Sequence, residues 1–167
     1  MSDSHTPSRD SKQILIVDDD SSVLNLLMRV LGDYRLIVGR EPHEAIYVAS
    51  RATSLDLVIT DYLMPSMTGD EVIGHVRQFW PHVQTLILTG HGAILESEPW
   101  WRHQAHLAKP MDLDKLRATV STLIGPPSSG KRSTFSDDDY VQTACVTPPS
   151  DTGVPRPDVP HESRRCR

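Results

Sequence analysis

Ile14-Leu15-Ile16-Val17-Asp18-Asp19-Asp20 decides how the rest of the chain is read. Four apolar residues run without interruption into three carboxylates. A continuous apolar run, rather than an alternating one, suits a strand buried on both faces, as in a parallel sheet. Working outward, the same kind of run returns at Leu36–Val38, Leu57–Ile59 and Leu86–Leu88, with Leu107–Ala108 as a weaker fifth.

Helical patterns fill the gaps between these runs. Val23, Leu26, Leu27, Val30 and Leu31 recur at helical spacing and predict one apolar stripe. Asp20 to Ser22 offer N-caps for it, and Gly32 a stop. A second helix is expected from Pro42, a residue at home in a first turn, to about Arg51. Thr68-Gly69-Asp70-Glu71 reads as a capping box ahead of Val72, Ile73, Val76 and Trp80. Asp112 caps a last stripe of Leu113, Leu116, Val120, Leu123 and Ile124, which Gly125-Pro126-Pro127 ends. Strand and helix thus alternate five times, which predicts an α/β domain with a doubly wound, five-stranded parallel sheet.

Composition sets the boundaries. The chain has 167 residues, of which 38% are apolar, a low share for a wholly folded chain. Seven of its 13 prolines lie after Gly125, among Ser, Thr and Asp. That stretch lacks the apolar surface to offset its ordering entropy. The expected organisation is a disordered N-terminal tail over 1–11, one domain over 12–125, and a disordered Pro/Ser-rich tail over 126–167. Cys145 and Cys166 fall in that last tail and are expected to be inert. Arg164, Arg165 and Arg167 read as a solvated end.

Twenty-two acidic against 17 basic residues give a net charge of −5, with no basic footprint for nucleic acid. No apolar run approaches the ~20 residues needed to cross a bilayer. The polar Met1–Lys12 segment lacks the apolar core of a secretory signal. A cytoplasmic protein with neither nucleic-acid nor membrane partners is the expectation.

In doubly wound sheets, chemistry sits beyond the carboxyl ends of the strands. Asp18, Asp19 and Asp20 follow the first strand, Asp61 the third, Thr89 the fourth and Lys109 the fifth. Converging carboxylates repel one another and raise each other's pKa, a penalty that a divalent cation removes. Mg²⁺ prefers a few oxygen ligands together with water and phosphate oxygens. A carboxylate beside it can act as a nucleophile toward phosphorus. Lys109 supplies a mobile point charge for phosphate oxygens, and the Thr89 hydroxyl a hydrogen bond. Of the three consecutive aspartates, Asp20 is expected to serve only as a helix cap.

These motifs resemble one family. Ile14–Asp20, Leu57-Val-Ile-Thr-Asp61-Tyr-Leu-Met-Pro65 with Gly69 downstream, Leu86-Ile-Leu-Thr89-Gly90 and Ala108-Lys109-Pro110 are similar to the receiver domains of two-component response regulators, over about residues 12–125. The resemblance implies a flavodoxin-like receiver fold. It implies that Asp61 accepts a phosphoryl group from a histidine kinase or a histidine phosphotransfer protein. Mg²⁺ would be held by Asp19, Asp61 and the backbone carbonyl of Leu63, with Asp18 acting mainly through water. Thr89 would move toward the new phosphate and Lys109 would pair with it, across a Lys109-Pro110 bond expected to be cis. Leu63 and His91 flank this site and would tune hydrolysis of the phosphate. Such a domain is a phosphoacceptor, not an enzyme beyond self-phosphorylation and slow autodephosphorylation.

Two departures stand out. Where the family carries Tyr or Phe three residues before the lysine, this chain has His106, which fills the switch role or adds pH sensitivity. The Gly92–Gln104 interval contains Pro99 and shows no clean stripe, so its helix is expected to be short, displaced or irregular. Trp100 and Trp101 sit beside that break, one expected in the core and the other a candidate partner anchor. His103 and His106 are not expected to share a metal, because the fifth strand begins between them.

With no helix-turn-helix or catalytic pattern after Gly125, the expectation is a stand-alone regulator that signals through an output protein still unknown. Two alternatives use the same residues. Asp18-Asp19-Asp20-Ser21-Ser22 also fits the nucleophile motif of a haloacid-dehalogenase-like phosphatase with Asp18 as nucleophile, although this leaves Asp61 unexplained. A phosphorylation-independent receiver-like adaptor would keep the acidic site as a relic.

Overall fold

The computed structural model describes residues 12–90 and 104–127. The N-terminal tail and residues 128–167 of the C-terminal one lie outside the described residues, as do both cysteines, His91, Trp100, Trp101, His103 and all of the Gly92–Gln104 interval except Gln104.

Five strands and four helices follow one another along the described chain: β1 (Gln13–Val17), α1 (Ser21–Leu31), β2 (Arg35–Gly39), α2 (Pro42–Ser50), β3 (Leu57–Asp61), α3 (Gly69–Phe79), β4 (Gln84–Thr89), β5 (Ala105–Ala108) and α4 (Leu113–Ile124). All strand pairs are parallel, in the order β2-β1-β3-β4-β5. The three central strands are the ones with near-continuous burial. The edge strands β2 and β5 are only partly covered, which is why the run at Leu107–Ala108 reads weakly.

Alternation along each central strand feeds two cores. Ile14, Ile16, Leu57, Ile59, Leu86 and Leu88 pack against Leu24, Leu27, Val30 and Leu31 of α1 and Leu116 and Val120 of α4. Leu15, Val17, Val58 and Ile87 face Ala45 and Ala49 of α2 and Val72, Ile73 and Val76 of α3. A sheet covered on both faces by helices is the doubly wound arrangement the apolar runs predicted.

Helix ends follow the sequence signals. The Asp20 carboxylate accepts from Ser22 N at 2.8 Å, and Asp112 from Asp114 N and Lys115 N. Thr68 and Glu71 form the expected capping box, with Glu71 accepting from both Thr68 N and its hydroxyl at 2.9 Å. That bonding to Thr68 holds the Glu71 carboxyl below its ordinary pKa. Trp80 caps α3 and donates from Nε1 to Ala49 O at 2.9 Å, tying α3 to α2.

Three details differ from the sequence expectation, the first that Leu113, expected in the last apolar stripe, is exposed while Leu116 and Val120 are buried. The α1 stripe is rotated: Leu24 is buried and Leu26 exposed, while Leu27, Val30 and Leu31 face the core as expected. Strands β3 and β4 run further at their carboxyl ends than their apolar cores. Ladder pairing continues through Asp61 opposite Leu88 and Thr89 opposite Ala108, so the two polar residues are the last of their strands rather than the first of a loop.

Candidate functional site

Strand order reverses between β2-β1 and β1-β3, because the chain leaves β1 first to one side and later to the other. That switch point opens a crevice at the carboxyl ends of β1 and β3. Asp18 follows β1 and Asp61 ends β3, so both carboxylates rise into it. Asp18 is fully buried and Asp61 nearly so, whereas Asp19 is half-buried. One oxygen from each of Asp18, Asp19 and Asp61 can be chosen so that all lie within 4.8 Å of one another.

Lys109 reaches this cluster from beyond β5. Its ammonium lies 2.7 Å from Asp18 Oδ2 and 3.1 Å from Asp61 Oδ1. The backbone just after β5 is anchored by Lys109 N donating to Thr89 O at 2.7 Å, and the Lys109-Pro110 peptide is cis. Burial alone would lower the lysine pKa, but the hydrogen bond and charge of Asp18, joined by those of Asp61, outweigh it and leave the ammonium held above its ordinary value. Asp18 shows the opposite balance. Burial pushes its carboxyl up, and the hydrogen bonds from Lys109 and Asp20 N only partly offset that.

The remaining site residues fall around this centre. Thr89, 1% exposed, ends β4 beside β5. Leu63 lies in the loop after β3, with an exposed side chain, in an isolated bridge with Thr68. His106 lies on the outer strand in register with Ile87, its side chain exposed and Nδ1 3.1 Å from Gln104 O.

Two further residues shape the site: Gly69, which the sequence showed only as part of the Asp61 signature, and Arg40, for which the sequence suggested no role. Gly69 N donates to Tyr62 O at 2.9 Å, and a Cβ on Gly69 would sit 2.5 Å from the Asp61 carbonyl oxygen. The backbone bearing Asp61 is therefore pressed against a position that only glycine fits. Arg40, directly after β2, donates from Nη2 to Asp19 O at 3.2 Å. A charged residue after a strand reads as solvated surface, so the sequence carried no signal for that contact.

Chemically, the cluster supplies hard carboxylate oxygens and one fixed ammonium, a donor set that suits Mg²⁺ and phosphate oxygens better than a softer metal. Two open grooves, of about 370 and 470 Å³, lie at the opposite, amino-terminal edge of the sheet around Pro81–Gln84 and include none of these residues. Among the described residues, no helix is long and apolar enough to cross a membrane.

Comparison with known proteins gives the same picture. The model of the response regulator receiver domain family matches residues 14–121. The transcriptional regulatory protein ZraR of Klebsiella oxytoca is 33% identical over 119 residues, covering 68% of this chain and 26% of that protein. GlrR of Escherichia coli K12 is 32% identical over 121 residues, covering 70% and 26%. The chain thus spans about a quarter of the length of these curated relatives. Among solved structures, a response regulator receiver domain protein from Clostridium thermocellum aligns with a TM-score of 0.60 at 26% identity, covering 68% of this chain and 94% of that one. The chemotaxis protein CheY4 of Vibrio cholerae aligns with a TM-score of 0.58 at 27% identity, covering 68% and 98%. With the sheet order, the acidic switch point and the family match in agreement, this chain belongs to the response regulator receiver domain family of two-component signalling.

Proposed function

We propose that Asp61 is the phosphoacceptor of a receiver unit spanning 12–125, loaded by a histidine kinase or histidine phosphotransfer protein. The observation that carries this is the bridging ammonium of Lys109, 2.7 Å from Asp18 and 3.1 Å from Asp61. It puts a fixed positive charge where a phosphoryl group on Asp61 would place its oxygens. Phosphoryl transfer asks for positioning and charge neutralisation more than for proton chemistry.

Asp61 attacks phosphorus through a carboxylate oxygen. The bond from phosphorus to the donor's imidazole nitrogen breaks, and that nitrogen leaves with the electron pair. Asp61 is also the better placed nucleophile of the two central carboxylates: its side chain is 12% exposed against 1% for Asp18. This favours the receiver reading over a phosphatase that uses Asp18. Asp19, Asp61 and the Leu63 carbonyl would hold Mg²⁺, with Asp18, already engaged by Lys109, acting through water. The cation, when bound, neutralises charge on the transferring group.

Thr89 and Lys109 are the groups that rearrange around the new phosphate, with His106 in the place of the family's ring. A local charge change of this kind biases a distant surface toward a protein partner. The output is a protein contact rather than nucleic-acid binding, and the setting is cytoplasmic. Intact mass after incubation with Mg²⁺ and acetyl phosphate tests the reading. A phosphoryl adduct on the wild type, lost with EDTA and absent from Asp61→Asn, is the expected result. No adduct from acetyl phosphate or from a panel of phosphorylated histidine kinases would leave the phosphorylation-independent adaptor in its place.

A further inference from the structure

One peptide unit joins the exposed rim of the crevice to its buried floor. The Asp19–Asp20 peptide accepts at its carbonyl from Arg40 Nη2, at 3.2 Å. Its N–H, Asp20 N, donates to Asp18 Oδ1 at 3.0 Å. The second oxygen of the same carboxylate takes Lys109 Nζ at 2.7 Å, and that ammonium continues to Asp61 Oδ1 at 3.1 Å. Arg40 itself is exposed, and the strand before it is tied to the same loop, since Asp18 N donates to Gly39 O at 3.3 Å.

A donor on a peptide carbonyl fixes the plane of that peptide and polarises its N–H, so hydrogen bonds in series strengthen one another. The Asp20 N–H is the backbone donor holding the buried Asp18 carboxylate, and the carbonyl on the other side of the same peptide belongs to Asp19. Fixing that plane therefore holds the Asp18 carboxylate directly and the backbone from which Asp19 presents its own. Outer groups that orient ligating side chains act on metal affinity in this way without touching the metal.

We infer that Arg40 is a positioning residue of the phosphoacceptor site, orienting Asp18 and Asp19 for the cation through the Asp19–Asp20 peptide. This rests on the reading of the acidic cluster as a Mg²⁺ site, and it predicts a role for a side chain just after β2, a strand that carries none of the chemistry. What matters is the donated hydrogen bond and not the charge, so a neutral donor of similar reach must replace the guanidinium in part.

The test compares wild type, Arg40→Met and Arg40→Gln in the full chain, by amide NMR and by calorimetric Mg²⁺ titration. In metal-free protein, Arg40→Met is expected to move the Asp20 amide resonance and speed its exchange, with the urea midpoint unchanged because the side chain is exposed. Its Mg²⁺ dissociation constant is expected to rise about fivefold, the weight of one ordinary hydrogen bond, and Arg40→Gln to recover most of both effects. Arg40→Met leaving the Asp20 amide in place and the Mg²⁺ constant within about twofold of wild type would overturn the inference, as would a loss that Arg40→Gln does not repair. Wild type that binds no Mg²⁺ would instead overturn the reading of the acidic cluster, while the metal-free Asp20 amide still decides whether Arg40 acts through that peptide.

Discussion

Replacing Lys109 by Met isolates the charge at the centre of the site. Methionine keeps the length and apolar stem of the side chain and removes only the ammonium. Asp18 then loses its 2.7 Å partner while its own side chain is 1% exposed, keeping only the bond from Asp20 N. Breaking a buried ion pair from one side costs about 3–5 kcal/mol. A ceiling operates as well, because Asp18 can take up a proton instead. From its ordinary value of 3.8, protonation at pH 7 costs about 4 kcal/mol, and at pH 5 about 2 kcal/mol. Without Mg²⁺, the variant should therefore lose about 3 kcal/mol at pH 7 and at most about 2 kcal/mol at pH 5.

The sign follows from burial. Asp18 already sits above its ordinary pKa, and loss of Lys109 raises it further. A carboxyl raised in the folded state favours folding below its unfolded pKa, and that advantage is lost as pH rises through the folded value. The gap between variant and wild type must widen from about pH 4 to pH 7. Urea unfolding in EDTA at several pH values measures it. Asp18→Asn added to Lys109→Met should recover most of the loss, since no charge is then left buried. A loss under about 1 kcal/mol at pH 7, equal losses at pH 5 and pH 7, or no recovery in the double variant would refute the reasoning.

Two further substitutions test how the scaffold holds the site. Gly69→Ala places a Cβ 2.5 Å from Asp61 O and 3.1 Å from Thr60 Cγ2. Overpacking of this kind, less the gain from a stiffer unfolded chain, should cost about 1–2 kcal/mol in urea unfolding and shift the Asp61 amide, and a neutral or stabilising effect would contradict the contact. Tyr34→Phe removes the hydroxyl that donates to Gly125 O at 2.9 Å and pins the end of α4. About 1 kcal/mol should be lost with an unchanged urea slope, and an unchanged midpoint would show that water replaces the bond.

What the sequence disclosed, and what it hid, divides along physical lines. Ile14–Val17 and Leu57–Ile59 were legible as strands because both of their faces are buried and the apolar run is unbroken. Ala105–Ala108 was faint because an edge strand with one buried residue leaves little pattern. The stripe of α1 was readable to within one rotation. Its period allows either Leu24 or Leu26 to flank the Leu27–Leu31 core, and only the way the helix lies on the sheet chooses Leu24.

The convergence of Asp18, Asp61 and Lys109, with Thr89 at the next strand end, was legible because topology sends every parallel strand end to one edge. Asp20 was legible as a cap because short polar side chains ahead of an apolar stripe have a local job. Arg40 was not, since its contact is with a backbone atom of a distant loop and leaves no periodicity, whereas Gly69 was marked by its place after Asp61, Met64 and Pro65 but not by its packing. The pattern around Thr68–Glu71 showed Gly69 as part of a helix start, and only the packing shows it pressed against Asp61.

The central claim is that Asp61, and not its more deeply buried neighbour Asp18, carries the phosphoryl group. Borohydride cuts an aspartyl phosphate to homoserine at the residue that bore it. Wild-type protein treated with Mg²⁺ and acetyl phosphate, reduced and then mapped by peptide mass spectrometry should show homoserine at position 61. Homoserine at position 18, or at neither position, would contradict the account.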